Sequence, residues 1–174
     1  MFNTYGAKSN EELLLGYGFV LTAPAPNPAD CVALKLSLPP NCSPTLFDLL
    51  HTLELQGMRH FLNRSGELPK ELQAQMRLLL SPPEEVEEIA EKVEEKRKGG
   101  GGGKVRWEEF VGFLGWETEL DMLDALEGML GSKMMALQAV DMDGGGEEVR
   151  ESVREMIRVY RQGELPLLLS YSWC

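Results

Sequence analysis

Hydrophobic residues recur three and four positions apart over most of the chain beyond Ser43, which is the spacing of one face of an α-helix. Ser43 stands where a helix N-cap is expected, Pro69 stands where a first-turn proline is favoured, and residues 81–85, SPPEE, are a strong signal for a helix N-terminus. The pattern therefore predicts helices over about 44–56, from Pro69 onward, from within residues 81–85 to about Lys98, and over about 116–138 and 147–161.

Each predicted helix has an apolar stripe that we expect to face a core. The stripe of the helix that runs to about Lys98 is narrow, which is typical of a helix on the surface. The apolar C-terminal run from Gly163 onward is predicted either to pack against the rest of the protein or to form an exposed apolar surface that favours association. The principal stripe residues are Leu46, Leu49, Leu50 and Leu53; Leu72, Met76, Leu79 and Leu80; Val86, Ile89 and Val93; Leu120, Leu123, Leu126 and Leu130; and Val149, Val153, Met156, Ile157 and Tyr160.

The N-terminal part has a different pattern. Ser9 or Asn10 can cap a short helix that Gly16 and Gly18, on either side of Tyr17, are expected to stop, and residues 19–21 then favour a strand. Residues 31–38 alternate apolar and polar positions, which predicts a half-buried strand paired with 19–22 or with a sheet supplied from elsewhere. An unpaired edge on that strand would favour self-association.

Two segments have the composition of connections. The stretch 22–29 carries three prolines, which exclude helix there and mark the best domain boundary. The glycine run 99–103 lacks the Gly-Lys-Ser/Thr ending of a phosphate-binding loop, so it is predicted to be a flexible insertion.

Charge and cysteine content narrow the classes of function. Lys and Arg number 17 against 28 Asp and Glu, for a net charge of −11, which disfavours nucleic acid and anionic membranes as partners. No apolar run approaches the roughly 20 residues of a membrane-spanning helix. Three cysteines and two histidines without a CxxC or HExxH motif predict no metal site and favour a reducing, intracellular compartment.

One segment carries a specific motif. Residues 2–19, FNTYGAKSNEELLLGYGF, closely resemble the end of a SET domain of the type found in Rubisco large-subunit lysine methyltransferases. The rest of the chain resembles, more weakly, the helical substrate-binding domain of that family. The weaker motifs are Leu68–Leu72 leading to Arg77–Leu79, then Glu117–Leu120, and Tyr160–Glu164. The resemblance implies a SET remnant over 1–22 and a substrate-binding domain of five or six helices over 30–174, hence a mainly α fold with a short β-containing remnant.

The resemblance also implies roles for three aromatic residues. Tyr5 would be the catalytic tyrosine that orients the acceptor amine and the methyl donor. Tyr17 would line the channel for the substrate lysine, where its ring can stabilise an ammonium group. Phe19 would stack on the adenine of S-adenosylmethionine. Asn10 and Glu11 are expected to hold the turn and helix rather than to contact substrate.

The family's upstream cofactor segment and Asn-His strand have no counterpart in these residues. We therefore expect Met1 to be the start of a truncated gene model, of part of a split gene or of a fragment. By itself the chain is expected to be inactive, and it would bind S-adenosylmethionine only in a complete enzyme. The expected partner is a protein substrate, with lysine-rich proteins favoured by the acidic charge. Two alternatives stay open: a histidine acceptor, as in some relatives, and a stand-alone helical interaction module with a vestigial SET tail.

Overall fold

The computed structural model describes residues 7–22, 26–99, 104–139 and 150–171. Over these ranges it contains six α-helices and one two-stranded antiparallel sheet, so the predicted mainly helical fold with a short β part is confirmed. The helices are α1 (Asn10–Tyr17), α2 (Pro44–Thr52), α3 (Lys70–Leu80), α4 (Pro83–Lys98), α5 (Trp116–Gln138) and α6 (Glu151–Tyr171), and the strands are β1 (Val32–Lys35) and β2 (Arg59–Leu62).

Local signals account for most helix boundaries. Ser43 caps α2 as predicted, since its hydroxyl accepts a hydrogen bond from the backbone N–H of Leu46 at 3.1 Å. Helix α4 has acidic residues in its first turn and Lys96, Arg97 and Lys98 in its last turn, which matches the helix dipole. Helix α5 has the predicted bounds. Helix α6 continues ten residues beyond the predicted end at Arg161, so the apolar C-terminal run is helical as far as Tyr171.

The predicted strand pairing is wrong. Strand β1 alternates as predicted, with Val32 and Leu34 buried, but it pairs with β2 and not with residues 19–22. Residues 19–22 form no strand because the backbone N–H and carbonyl of Leu21 both bind the Asn10 side chain. The sequence pattern does not indicate β2, which is only four residues long and carries arginine and histidine.

Contacts divide the chain into two compact units. The first takes its described residues from Met1–Ala33, Phe61–Glu67 and Glu127–Cys174. The second takes its residues from Leu34–His60 and Leu68–Leu126. Among the residues singled out from the sequence, Tyr5, Val149 and the glycines at 100–103 lie outside the described residues.

The second unit has a leucine-rich core between α2, α3 and α4. The predicted stripes of α2 and α4 are buried, and Leu72 and Met76 of α3 are buried as well. In α5 the prediction is confirmed at Leu126 and Leu130, which are buried, and wrong at Leu120, which is 60% exposed. The buried core comprises Leu46, Leu49, Leu50, Leu53, Leu55, Ala74, Leu78, Val86, Ile89, Val93 and Val111.

In the first unit, α1 packs against α6. Leu13 of α1 is fully buried, and so are Leu167 and Leu168 at the end of α6. The Tyr171 hydroxyl lies 2.7 Å from the carbonyl oxygen of Asn63. Within the described part of the apolar run, Leu167, Leu168 and Tyr171 are therefore packed, whereas Leu169 is 47% exposed.

Candidate functional site

The motif-bearing helix α1 is defined by signals at both of its ends. Ser9 and Glu12 form a capping box, in which the Glu12 N–H donates to Ser9 Oγ at 3.2 Å and the Ser9 N–H donates to Glu12 Oε2 at 3.1 Å. The helix ends at Gly18, whose φ of 73° lies in the left-handed region that glycine adopts without strain. Of the two predicted caps the structure shows Ser9, and of the two glycines predicted to stop the helix Gly18 does so, while Gly16 lies within the helix.

The turn at Gly18 brings two of the predicted site residues together. The ring centroids of Tyr17 and Phe19 lie 6.2 Å apart with the rings tilted by 54°. The Tyr17 side chain is 54% exposed, and Phe19 is half-buried. The ammonium group of Lys8 lies 5.7 Å from the centre of the Tyr17 ring, so this ring already has a cation over its face.

Asn10 fixes the segment that carries Phe19. Its side-chain oxygen accepts a hydrogen bond from the Leu21 N–H at 2.8 Å, and its amide nitrogen donates to the Leu21 carbonyl at 3.4 Å. Asn10 is 2% exposed. The expectation that Asn10 holds the turn is thus confirmed, because both of its polar atoms bind the backbone beyond the turn.

A buried carboxylate holds the first turn of α1. Asp30 Oδ1 accepts a hydrogen bond from the Asn10 N–H at 2.8 Å, and Asp30 Oδ2 lies 3.7 Å from Arg64 Nη2. The same arginine nitrogen donates to the carbonyl of Gly163 in α6 at 3.1 Å. Asp30, Arg64 and Gly163 therefore connect α1, the segment after β2 and α6 by polar contacts.

The sequence pattern gives no indication of this carboxylate, because the prolines of residues 22–29 predict a linker. Asn27 in fact starts a turn, in which its side chain accepts from the Ala29 N–H at 3.1 Å and its carbonyl accepts from the Asp30 N–H at 3.0 Å. The Asn27 amide also donates to the Lys8 carbonyl at 2.9 Å. The dipeptide Asn27-Pro28 is a turn signal that could have identified this structure.

Beside Asp30 lies a cavity of about 390 Å³. Asn10, Asn27 and Asp30 line one part of it, and Gln162 and Gly163 of α6 line another. These walls offer carboxylate and amide groups, and Leu21, Pro26 and Val159 add apolar surface, so the cavity has a mixed polar and apolar lining.

Glu164, next to Gly163, is a carboxylic acid buried away from solvent. It is 2% exposed, and burial raises its pKa to about 7, against the lowering effects of the nearby Tyr160 hydroxyl and the Lys133 charge. Glu11 and Asp30 raise this pKa further. Burial and the Glu164 carboxylate likewise raise the pKa of the Tyr160 hydroxyl above its ordinary value.

The raised pKa makes the stability of the first unit depend on pH. The carboxyl is half protonated near pH 7 when folded but only near pH 4.5 when unfolded, so stability falls as the pH rises through this interval. We expect Glu164→Gln to remove about 1–2 kcal/mol of that decrease, a figure reduced for solvent screening. Urea unfolding at pH 5 and pH 8 checks this, with the exposed Glu155→Gln as control. Parallel pH profiles of wild type and Glu164→Gln would contradict it.

In the second unit, two of the weaker motifs meet. The Arg77 guanidinium donates to both carboxylate oxygens of Glu119, from Nε at 2.6 Å and from Nη2 at 3.0 Å. Both side chains are 15% exposed. This two-point ion pair joins α3 to α5.

The described residues contain no group of three or more His, Cys, Asp or Glu that could hold a metal ion. None of the described helices is long and apolar enough to cross a membrane. Cys31 and Cys42 are both free thiols, and burial raises the pKa of Cys31.

Comparison with known proteins gives two partial similarities to lysine methyltransferases. The chain is 54% identical over 41 residues to ribosomal lysine N-methyltransferase set10 of Schizosaccharomyces pombe, a match that covers 24% of this chain and 7% of that protein. It is 49% identical over 53 residues to ribosomal lysine N-methyltransferase 1 of Saccharomyces cerevisiae, covering 30% of this chain and 9% of that protein. No protein-family model matches. The matched part of this chain thus corresponds to less than a tenth of each relative, and it is similar to protein-lysine N-methyltransferases.

Proposed function

We propose that this chain is part of an S-adenosylmethionine-dependent protein-lysine N-methyltransferase of the SET type. The observation that carries the proposal is the local similarity to two ribosomal lysine N-methyltransferases. In this proposal residues 1–22 complete the catalytic domain and residues 30–174 form a domain of the Rubisco-methyltransferase type that binds the protein substrate.

The geometry around Gly18 supports the roles of Tyr17 and Phe19. Tyr17 presents an exposed ring that accepts the Lys8 ammonium on its face, as a ring lining a lysine channel must do. Tyr5, which the SET resemblance makes the catalytic tyrosine, would orient the acceptor amine.

The residues around Phe19 fit one side of a cofactor site. Phe19 is a half-buried ring held in place through the Asn10–Leu21 hydrogen bonds, and such a ring can stack on an adenine. S-adenosylmethionine, when bound, supplies a methyl group that is already activated by its sulfonium. The chain's own contribution is positioning of the acceptor.

The two relatives are named for ribosomal substrates, and we extend this class to the chain as a proposal. Ribosomal proteins are basic in general, and a chain with a net charge of −11 attracts basic partners. Lysine is the proposed acceptor because the Tyr17 ring suits an ammonium group.

A fusion protein tests the proposal. In the fusion, residues 1–174 of this protein would follow the catalytic part of the Saccharomyces cerevisiae relative. They would take the place of the relative's matching segment and of everything after it in the relative. We expect the fusion to transfer labelled methyl groups from S-adenosylmethionine to ribosomal proteins, and residues 1–174 alone to stay at background. In the fusion, we expect Tyr5→Phe to lower the rate at least tenfold, since it removes one oriented hydroxyl.

A pair of matched substitutions separates cofactor binding from general damage. Phe19→Ala in the fusion should raise the KM for S-adenosylmethionine, whereas Phe47→Ala, which truncates a 43% exposed phenylalanine in α2, should not. A folded fusion without methyl transfer would contradict the proposal and favour the stand-alone interaction module. Methyl transfer by residues 1–174 alone would contradict the view that they form only part of the enzyme.

A further inference from the structure

A cluster of large apolar side chains is exposed where α5 begins. Trp116 is 76% exposed, and Phe113 and Leu120 are 59% and 60% exposed. The Phe113 and Trp116 rings contact each other edge to face with centroids 5.1 Å apart. Leu120 follows Trp116 by one helical turn, so the three side chains form one apolar strip. Contiguous exposed apolar groups of this kind mark interaction sites.

The strip borders an acidic groove of about 530 Å³ between the start of α4 and the start of α5. Trp116 lines the groove together with Glu84, Glu85, Glu88 and Glu117. Over the described parts of the chain, Glu88 has an ion pair, with Lys92 at 2.7 Å, and the other three glutamates have none. None of the groove-lining residues is basic.

Helix stabilisation explains only part of this arrangement. Glu84, Glu85 and Glu117 lie in first turns, where carboxylates interact favourably with the helix dipole. Glu88 lies in the second turn of α4, outside the reach of that effect. The dipole also gives no reason for an exposed tryptophan and phenylalanine beside the carboxylates.

We propose that this acidic aromatic groove binds a lysine-rich segment of a partner protein. A lysine ammonium over the Trp116 face would gain a cation–π contact, and its neighbours would pair with the groove carboxylates. The alkyl stems of lysine side chains would cover the apolar strip, since such stems pack readily on apolar surface. Charge complementarity selects this occupant over an acidic or purely apolar segment, because four carboxylates line the groove.

Binding at this groove does not depend on methyl transfer. A docking groove of this kind would serve a methyltransferase that recognises a basic substrate away from the acceptor lysine, and it would equally serve a protein-binding module. Its test therefore needs no enzymatic activity.

The test uses residues 1–174 and a fluorescently labelled octalysine peptide, with binding followed by anisotropy in low salt. We expect Trp116→Ala to weaken binding about tenfold through loss of the cation–π and apolar contacts. We expect the triple variant Glu84→Gln, Glu85→Gln, Glu117→Gln to weaken it at least as much. Trp116→Tyr should retain most of the affinity, because its ring still offers a π face.

A second triple variant removes the same number of charges outside the groove, at exposed positions, and should change the Kd less than twofold. It comprises Asp48→Asn, Glu87→Gln and Glu91→Gln. Equal weakening by the two triple variants would overturn the proposal, since binding would then follow net charge alone. Unchanged affinity of Trp116→Ala would also overturn it, and so would equal binding of an uncharged octapeptide. Thermal unfolding would verify that each variant is folded.

Discussion

Replacement of Gly163 by alanine is expected to lower the free energy of unfolding by about 3 kcal/mol. An added Cβ would overlap Asp30 Oδ2 and lie 3.2 Å from Asp30 Cγ. Asp30 cannot move aside freely, because its other oxygen accepts the buried Asn10 N–H at 2.8 Å. Displacing the carboxylate would leave that N–H without its partner and lengthen the contact with Arg64. Urea unfolding of the purified chain measures the effect.

Two further variants make the result specific. Gly128 in α5 has nothing within 4 Å of an added Cβ, so Gly128→Ala should stabilise the protein by up to about 1 kcal/mol through helix propensity. With Asp30→Ala in the background, Gly163→Ala should cost much less than it does alone, since the atom that it meets is gone. A Gly163→Ala variant as stable as Gly128→Ala would show that the Asp30 contact is unimportant.

Replacement of Arg77 by methionine is expected to destabilise the second unit by about 2–3 kcal/mol. The substitution keeps much of the side-chain volume but leaves the Glu119 carboxylate, 15% exposed, without the two hydrogen bonds that it accepts at 2.6 and 3.0 Å. A carboxylate that has lost its partner in a mostly buried position costs more than the pair contributes when intact. The free energy of unfolding by denaturant is again the quantity to measure.

The matched control for this prediction is the exposed pair of Lys92 and Glu88 on α4. Both side chains are more than half exposed, so Lys92→Met should leave the free energy of unfolding almost unchanged. In the double variant Arg77→Met, Glu119→Leu most of the lost stability should return, because no charge is left unpaired. Equal effects of Arg77→Met and Lys92→Met would mean that burial of the pair has no consequence.

Part of the candidate site could be predicted from local residues. The Gly18 stop follows from a glycine at the end of a short helix, and it brings Tyr17 and Phe19 close together whatever the rest of the chain does. The role of Asp30 could not be predicted in this way. Its partners Asn10, Arg64 and Gly163 are distant in sequence, and no spacing rule connects a carboxylate in a proline-containing turn to a glycine in the last helix.

Leu120 illustrates the limit of periodicity. Its spacing from Leu123, Leu126 and Leu130 predicts a buried stripe, yet Leu120 is 60% exposed and Met122 is buried instead. In a helix rich in leucine and methionine several stripes have similar hydrophobicity, so the pattern does not select one of them. Which of these stripes becomes buried is decided by the parts of the protein that α5 packs against.

The sequence by itself determined the mainly helical class and the bounds of α5 through hydrophobic periodicity, and the helix start at Ser43 and the end of α4 near Lys98 through capping and charge effects, because these signals act within a few residues. The tertiary structure alone decided the partner of β1, the Arg77–Glu119 pair and the contacts of Asp30 with Arg64. These interactions join residues that are far apart in the chain. They are favourable only where packing removes polar groups from water, and packing is a property of the whole fold.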